Sequence, residues 1–255
     1  RSGAMRDMVQ NHMMQLLCLI AMEPPSRFEP DFVRDEKVKV IEALEPVAPD
    51  NVVRGQYRVW DGHGSYADHV GDPDSRTESF VAMKVNVANW RWAGTPFYLR
   101  TGKRLRAQAS EIAVVFRDPP HMIFPRMEGR RGNALIIQLQ PDEGILLRTT
   151  IKEPGPGGMR LAEVALDMTF TEALGGDMHA QDAYERLIMD VIRGDQTLFM
   201  RGDEVEAAWG WADPIIAGWQ EARRKPAAYD AGGSGPEDAL MLMHRDGRRW
   251  REIGW

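Results

Sequence analysis

Apolar residues recur at helical spacing near the start of the chain. One face collects the side chains of Val9, Met13, Leu16, Leu17 and Ile20. A spacing of three and four residues is typical of an amphipathic α-helix. Pro24 and Pro25 follow, and proline disfavours helix at its own position and at the preceding residue. The pattern predicts a helix over residues 4–23 with one side against a core.

His12 lies at the border of this apolar face. An α-helix turns by about 100° per residue, which places His12 roughly 60° from the centre of the face. There the imidazole would be half-buried at the edge of a cleft, where it could act as a general base. The alternative is an ordinary boundary histidine. Asp7 lies in the first turns of the helix, where the helix dipole favours a carboxylate.

The periodicity becomes strand-like in the middle of the chain. A second amphipathic helix is predicted over 33–44, before Pro46. Apolar runs then predict strands over 53–60, 81–87, 97–101, 112–116, 135–139, 145–151 and 164–170. Turns join these runs directly, so consecutive strands cannot pair parallel, because a parallel pair needs a long crossover.

Helical periodicity returns after the strands. Closing helices are predicted over about 181–222, followed by an irregular tail over 226–255. The order of helices, strands and helices predicts an α+β fold. We expect a large, mostly antiparallel β-sheet over about 52–172, packed against the helices in a single domain over residues 1–255.

Composition excludes several classes of function. With 27% charged and 43% hydrophobic residues, the 255-residue chain has the balance of a soluble globular protein. Its net charge of −6 argues against sequence-independent nucleic-acid binding. The single cysteine, Cys18, excludes an intrachain disulfide and a thiolate metal cluster. Neither a membrane-spanning apolar run nor a signal peptide is recognised, so we expect a cytoplasmic location.

A glycine–lysine turn follows the strand predicted over 97–101. The segment Arg100-Thr101-Gly102-Lys103-Arg104-Leu105 places Lys103 beside a glycine. Glycine lets a substrate approach the backbone, and the lysine ammonium can donate hydrogen bonds to sugar hydroxyls or phosphate. A solvated basic turn explains the same residues equally well. The segment lacks the upstream glycine and following Ser/Thr of a Walker loop.

Two further clusters are weaker candidates for chemistry. A metal could be imagined between the aspartates and histidines of one polar segment, Asp61, His63, Asp68 and His69. A flexible loop offers no scaffold for ligands, which favours a solvated loop. A rim contact or simple solubility explains the basic cluster of Arg126, Arg130 and Arg131. No G-x-G-x-x-G opens a helix after a predicted strand, so no dinucleotide-binding unit is predicted.

Several segments match one known family, in order, along nearly the whole chain. They are Arg6-Asp7-Met8-Val9-Gln10-Asn11-His12, Ala21-Met22-Glu23-Pro24-Pro25, Pro96-Phe97-Tyr98-Leu99-Arg100-Thr101-Gly102-Lys103-Arg104-Leu105, Tyr184-Glu185-Arg186-Leu187 and Asp190-Val191-Ile192-Arg193-Gly194-Asp195-Gln196-Thr197-Leu198-Phe199. Together these segments resemble the glucose-6-phosphate dehydrogenase family. Matches at so many sites are far more specific than any single motif.

The resemblance implies roles for individual residues. His12 matches the family's catalytic base, which takes the proton from the C1 hydroxyl of glucose 6-phosphate as hydride leaves C1 for NADP⁺. A free histidine has a pKa of about 6.5, which suits a base at neutral pH. Asp7 and Lys103 match positions that hold the sugar phosphate, and Gln140 matches a further one.

One position departs from the family's pattern. Many relatives carry a second basic residue five positions after the lysine, and this chain has Gln108 there. Arg104 or Arg106 would have to supply that charge.

The resemblance also implies a cofactor and a second domain that are not part of this chain. NADP is bound mainly by the family's N-terminal dinucleotide domain, which also supplies the carboxylate that orients the base. The chain starts at Arg1 without a methionine. We therefore expect a C-terminal substrate-binding and dimerisation domain that is inactive alone, from an enzyme of the oxidative pentose phosphate pathway. In the family the sheet forms a homodimer.

The alternative is a non-catalytic binding or assembly protein that retains the same fold. Such a protein needs neither His12 nor Lys103, so their presence favours the enzyme. A gene that encodes only these residues would favour the alternative.

Overall fold

A computed structural model describes residues 2–60, 62, 64–121, 123, 132–156, 158–173, 175 and 183–253. The chain divides into two units. Unit 1 comprises Arg1–Arg106 and Asp182–Glu252, and unit 2 comprises Ala107–Gln181 and Ile253–Trp255. The hydrophobic pattern predicted one domain. It does not show this division, because strands of both units have the same apolar runs.

Helices open and close the chain, and most of the strands lie between them. The helices are an opening π-helix Met5–Met13, α1 Met14–Ala21, α2 Pro30–Glu42, α3 Tyr66–Val70, α4 Phe170–Ala173, α5 Ala183–Arg193, α6 Gly202–Ala222 and α7 Glu237–His244, with a 3₁₀ turn at Pro49–Asn51. The strands are β1 Val52–Arg58, β2 Phe80–Val85, β3 Phe97–Gly102, β4 Ser110–Val115, β5 Ala134–Gln140, β6 Gly144–Lys152, β7 Leu161–Thr169 and β8 Ala227–Asp230.

Unit 1 is built on a four-stranded sheet of order β3-β2-β1-β8 with helices on both faces. Successive side chains of a strand point to opposite faces. Val81 and Met83 of β2 enter one apolar cluster with the opening helices, α2 and α6. Phe80 and Ala82 enter a second cluster with Tyr229 and residues of α7. The sheet is therefore buried on both sides.

Unit 2 is a four-stranded antiparallel sheet of order β4-β5-β6-β7. The predicted α+β class and the predominantly antiparallel pairing are confirmed. The strands are distributed over two sheets rather than one large sheet, and β1 pairs parallel with β8. The long crossover between β1 and β8 permits that pairing.

The prediction of an irregular tail over 226–255 is wrong. Its first residues form β8 against β1, and α7 covers the second apolar cluster. The chain beyond α7 is tied back by Asp246, whose carboxylate lies 2.7 Å from Lys84 Nζ. Trp250 Nε1 donates to the Ala239 carbonyl at 2.7 Å. These contacts depend on distant partners, which local periodicity does not show.

Cys18 is buried in the apolar cluster that the opening helices, α2 and α6 form with β2. Burial raises the pKa of its thiol to about 12. The thiol is therefore protonated and unreactive at neutral pH. Within the described ranges, no helix combines the length and apolarity needed to cross a membrane.

Candidate active site

The helix that carries Asp7 and His12 is a π-helix, where the sequence predicted an α-helix. Its end shows the wider pattern, because Met14 N–H donates to the Val9 carbonyl five residues back. Residues five apart lie about 140° apart around an α-helix but roughly 50° apart around a π-helix. The π geometry therefore turns Asp7 and His12 toward the same side. π-Helical turns are rare in proteins, and those that occur often lie at functional sites.

The buried face of this helix differs from the predicted one for the same reason. Met5, Val9 and Gln10 are its buried residues, while Asp7 and His12 are exposed. The expectation that His12 is half-buried is therefore wrong for this chain. An exposed imidazole and carboxylate on one side of the helix are both open to a ligand.

The start of the π-helix is held by Glu78, a buried residue just before β2. Ala4 N–H donates to the Glu78 carbonyl at 2.9 Å, and Met5 N–H donates to Glu78 Oε1 at 3.0 Å. Gly3 allows this approach: its φ is +75°, and a Cβ there would lie 2.3 Å from Glu78 Oε1. Glu78 thus satisfies two N–H groups that a helix start leaves unpaired.

Lys103 follows the last residue of β3. Its backbone N–H and its backbone carbonyl are both hydrogen-bonded. Lys103 N–H donates to the Ser79 carbonyl at 2.8 Å. The Lys103 carbonyl accepts from Tyr229 Oη at 2.6 Å. Gly102 is required before it, because a Cβ would lie 2.6 Å from Phe80 Cδ2. The backbone is fixed while the Lys103 side chain is exposed.

Tyr229 is a neutral hydrogen-bond donor in this network. Burial raises the pKa of its phenol to about 12. At neutral pH the hydroxyl therefore keeps its proton and can donate it to the Lys103 carbonyl.

The structure brings three of the four predicted site residues into one unit. Asp7 and His12 share the π-helix, β3 packs against that helix, and Lys103 follows the last residue of β3. Gln140 is exposed at the end of β5 in unit 2. In unit 1 the arrangement offers a proton acceptor, a carboxylate that accepts from hydroxyl groups and an ammonium that pairs with an anionic group.

The two arginines that follow Lys103 contact other parts of the chain. The Arg104 guanidinium lies over the Tyr57 ring, 5.8 Å from its centroid, and its backbone φ is 53°. Arg106 N–H donates to the Gly233 carbonyl at 3.0 Å. Gln108 is exposed and belongs to unit 2. This position therefore carries an uncharged amide.

The metal hypothesis receives no support among the residues that the structure describes. Asp68 and His69 lie in α3, where a flexible loop was predicted, and Asp68 accepts from Ser65 N–H at 2.8 Å as a helix cap. His69 Nδ1 lies 3.1 Å from Tyr57 Oη. No metal-binding group of side chains is found in this described part. Outside the described residues lie Asp61, His63, Arg126, Arg130 and Arg131.

The chain belongs to one known class of domain. Residues 1–251 match the family described as glucose-6-phosphate dehydrogenase, C-terminal domain. Because that match covers nearly the whole chain, the chain belongs to this family, and the resemblance seen in the sequence segments is confirmed.

Curated relatives agree with this assignment. The chain is 57% identical over 259 residues to glucose-6-phosphate 1-dehydrogenase of Mycolicibacterium smegmatis, covering 98% of this chain and 52% of the relative. It is 51% identical over 261 residues to the Rhizobium meliloti protein of the same name, covering 99% and 53%. The chain thus spans about half the length of the curated relatives it matches.

Solved structures show the same fold. A glucose-6-phosphate dehydrogenase in complex with its substrate glucose-6-phosphate superimposes with a TM-score of 0.88 at 34% identity, over 98% of this chain and 52% of that chain. The Mycobacterium avium glucose-6-phosphate 1-dehydrogenase superimposes with a TM-score of 0.80 at 34% identity, over 99% and 51%.

Proposed function

We propose that this chain is the substrate-binding and dimerisation half of a glucose-6-phosphate dehydrogenase. The full-length enzyme, these residues preceded by a dinucleotide-binding half, oxidises glucose 6-phosphate to 6-phosphogluconolactone and passes hydride to NADP⁺. This is the first step of the oxidative pentose phosphate pathway. Family membership supports the proposal, as does the likeness to a structure that contains glucose-6-phosphate. Cys18, buried and free, fits a reducing cytoplasm.

The observation that carries the proposal is the shared side of the π-helix beside the end of β3. His12 accepts the C1 hydroxyl proton as the C1–H bond breaks. Asp7 accepts hydrogen bonds from sugar hydroxyls, because a carboxylate only accepts. Lys103 pairs with the phosphate through its ammonium.

The residues that the structure describes form no strand–helix–strand unit of the kind that binds a nicotinamide dinucleotide. Such a site needs a parallel strand–helix–strand unit whose helix start receives the pyrophosphate. In the described chain, α3 is the helix that follows β1, and it has 5 residues. β1 then pairs antiparallel with the next strand, β2. The cofactor is therefore held by the other half of the enzyme.

This chain alone is expected to be inactive. With glucose 6-phosphate and NADP⁺ it should give no increase in absorbance at 340 nm, while the full-length enzyme under the same conditions does. Calorimetry with glucose 6-phosphate should show weak or no binding to the chain, because part of the pocket is absent. Turnover by these 255 residues alone would refute the assignment of the cofactor to the other half.

The sheet of unit 2 presents an open apolar face that fits a second copy of the chain. The strand register places nine aliphatic or thioether side chains on this face: Ile112, Val114, Leu135, Ile137, Ile145, Leu147, Val164, Leu166 and Met168. None of them is buried, and Leu166 is 63% exposed. The buried Ala134, Ile136 and Leu146 lie on the opposite face. Open apolar faces of this size mark protein interfaces.

Leu166→Asp should therefore weaken the homodimer. A carboxylate in the middle of an apolar interface is desolvated without a partner. Sedimentation of the full-length enzyme should shift toward monomer at micromolar concentration. Ala165→Asp is the matched control, because the same charge on the same strand points to the other face. An unchanged dimer in the Leu166 variant would rule this face out as the interface.

A further inference from the structure

Two adjacent residues just before β2, Glu78 and Ser79, hold both parts of the candidate site. Glu78 binds the start of the helix that carries Asp7 and His12. Ser79 binds the turn that carries Lys103. Both residues are buried, with exposures of 6% and 1%. Neither residue could be recognised from the sequence, because their partners lie far away along the chain.

Glu78 contacts the helix through both its backbone and its side chain. Its carbonyl accepts from Ala4 N–H at 2.9 Å, and its Oε1 accepts from Met5 N–H at 3.0 Å. A carboxylate at a helix start also favours the dipole. The π-helix is an unfavourable conformation that neighbouring structure must maintain. Without the Glu78 carboxylate, relaxation of the first turn to α geometry would rotate His12 away from Asp7.

Ser79 and Tyr229 form a directed chain of hydrogen bonds that ends at Lys103. Tyr57 N–H donates to Ser79 Oγ at 3.2 Å, and Ser79 Oγ lies 3.0 Å from Tyr229 Oη. Tyr229 Oη then donates to the Lys103 carbonyl at 2.6 Å. The Lys103 N–H in turn donates to the Ser79 carbonyl at 2.8 Å. Each hydroxyl accepts one hydrogen bond and donates one, so the turn is held in one position.

We propose that Glu78 and Tyr229 are positioning residues with separable effects on turnover and on substrate binding. Glu78 maintains the π turn that aligns the base with Asp7, so it acts mainly on kcat, while the contact of Lys103 with the phosphate stays in place. Tyr229 sets the lysine that holds the phosphate, so it acts on KM. The inference rests on the proposed function, and it assigns roles to two residues that touch no reacting atom.

Glu78→Ala in the full-length enzyme tests the first role. A misplacement of about 1 Å can cost about 100-fold in rate, so kcat should fall by about 10- to 100-fold while KM changes less than about threefold. Glu78→Gln should recover most of the rate, because the amide oxygen can still accept from Met5 N–H. Asp68→Ala is the matched control, since Asp68 caps α3, a helix without site residues. It should leave kcat and KM unchanged.

Tyr229→Phe tests the second role. Loss of a contact that binds the substrate and the transition state equally raises KM without changing kcat. KM for glucose 6-phosphate should therefore rise about 10-fold, with kcat within about twofold of the wild type. Tyr57→Phe is the matched control, because the Tyr57 hydroxyl meets His69 and not Lys103. A purely structural role for either residue would lower the melting temperature without this division between kcat and KM.

Two outcomes overturn the inference. One is that both variants change kcat and KM in the same proportion. The other is that Glu78→Gln is as slow as Glu78→Ala. A wild-type full-length enzyme that does not oxidise glucose 6-phosphate would instead refute the proposed function itself, so the two failures are distinguishable.

Discussion

His12→Asn in the full-length enzyme is expected to lower kcat for glucose 6-phosphate oxidation by about 10²- to 10⁴-fold. Asparagine keeps a polar side chain of similar size but cannot accept a proton from the C1 hydroxyl. KM should change little, because the variant leaves the proposed contacts of Lys103 and Asp7 with the sugar phosphate in place. Initial rates of NADPH formation measured over a range of substrate concentrations separate the two constants.

His244→Asn is the matched control for this variant. His244 is exposed in the last turn of α7, the last helix of the chain, whereas the π-helix is the first. It should retain wild-type turnover. Wild-type turnover in the His12 variant, with an unchanged circular dichroism spectrum, would remove His12 from its role as the base.

Lys37→Ala is expected to destabilise this chain by about 3–5 kcal/mol, as removal of one partner of a buried ion pair does. Lys37 Nζ on α2 lies 2.6 Å from Glu204 Oε2 on α6, and the two side chains are 3% and 0% exposed. The variant leaves the Glu204 carboxylate buried without its cation. The midpoint of urea unfolding, followed by circular dichroism, reports the loss.

An exposed pair provides the comparison. Lys39 Nζ lies 2.6 Å from Glu36 Oε1, but its side chain is 66% exposed. Lys39→Ala should therefore cost no more than about 1 kcal/mol. The double variant Lys37→Met with Glu204→Leu should be close to the wild type in stability, because replacing a buried pair by apolar residues is often neutral. Equal losses in the Lys37 and Lys39 variants would contradict this account.

The strands could be predicted from sequence because their signal is local. The runs over 97–101 and 145–151 coincide with β3 and β6, since apolar runs between turn residues are sufficient to define a strand. The division into two sheets could not be predicted. It depends on which strands pair, and β1 pairs with β8, which lies far along the chain.

The π-helix shows a different limit of sequence analysis. Val9 and Met13 are compatible with α-helical spacing, yet the buried residues include Met5, Val9 and Met14. The wider turn is maintained by contacts such as that of Glu78, which lies 73 residues from Met5. Because the helix pattern decides where His12 points, the sequence placed His12 half-buried and the structure places it exposed.

Helix α5 shows a further limit of periodicity. Its apolar residues recur at helical spacing, yet Tyr184 is 74% and Val191 is 66% exposed. Periodicity identified the helix correctly and could not tell what covers its apolar side.

The candidate site was predicted through family resemblance rather than through spacing. His12 and Lys103 belong to short matching segments, and each had an ordinary structural explanation when taken singly. Glu78, Ser79 and Tyr229 stand in no such segment. Their contribution arises from hydrogen bonds between distant residues, which only the folded chain brings together.

The transfer of hydride from C1 of the substrate is the central claim, and isotope labelling tests it most directly. The full-length enzyme is incubated with NADP⁺ and glucose 6-phosphate that carries deuterium at C1, and the reduced nucleotide is examined by mass spectrometry. The account predicts that the deuterium appears in NADPH and that His12→Asn slows its appearance. NADPH that contains only protium, or no NADPH at all, would contradict the account.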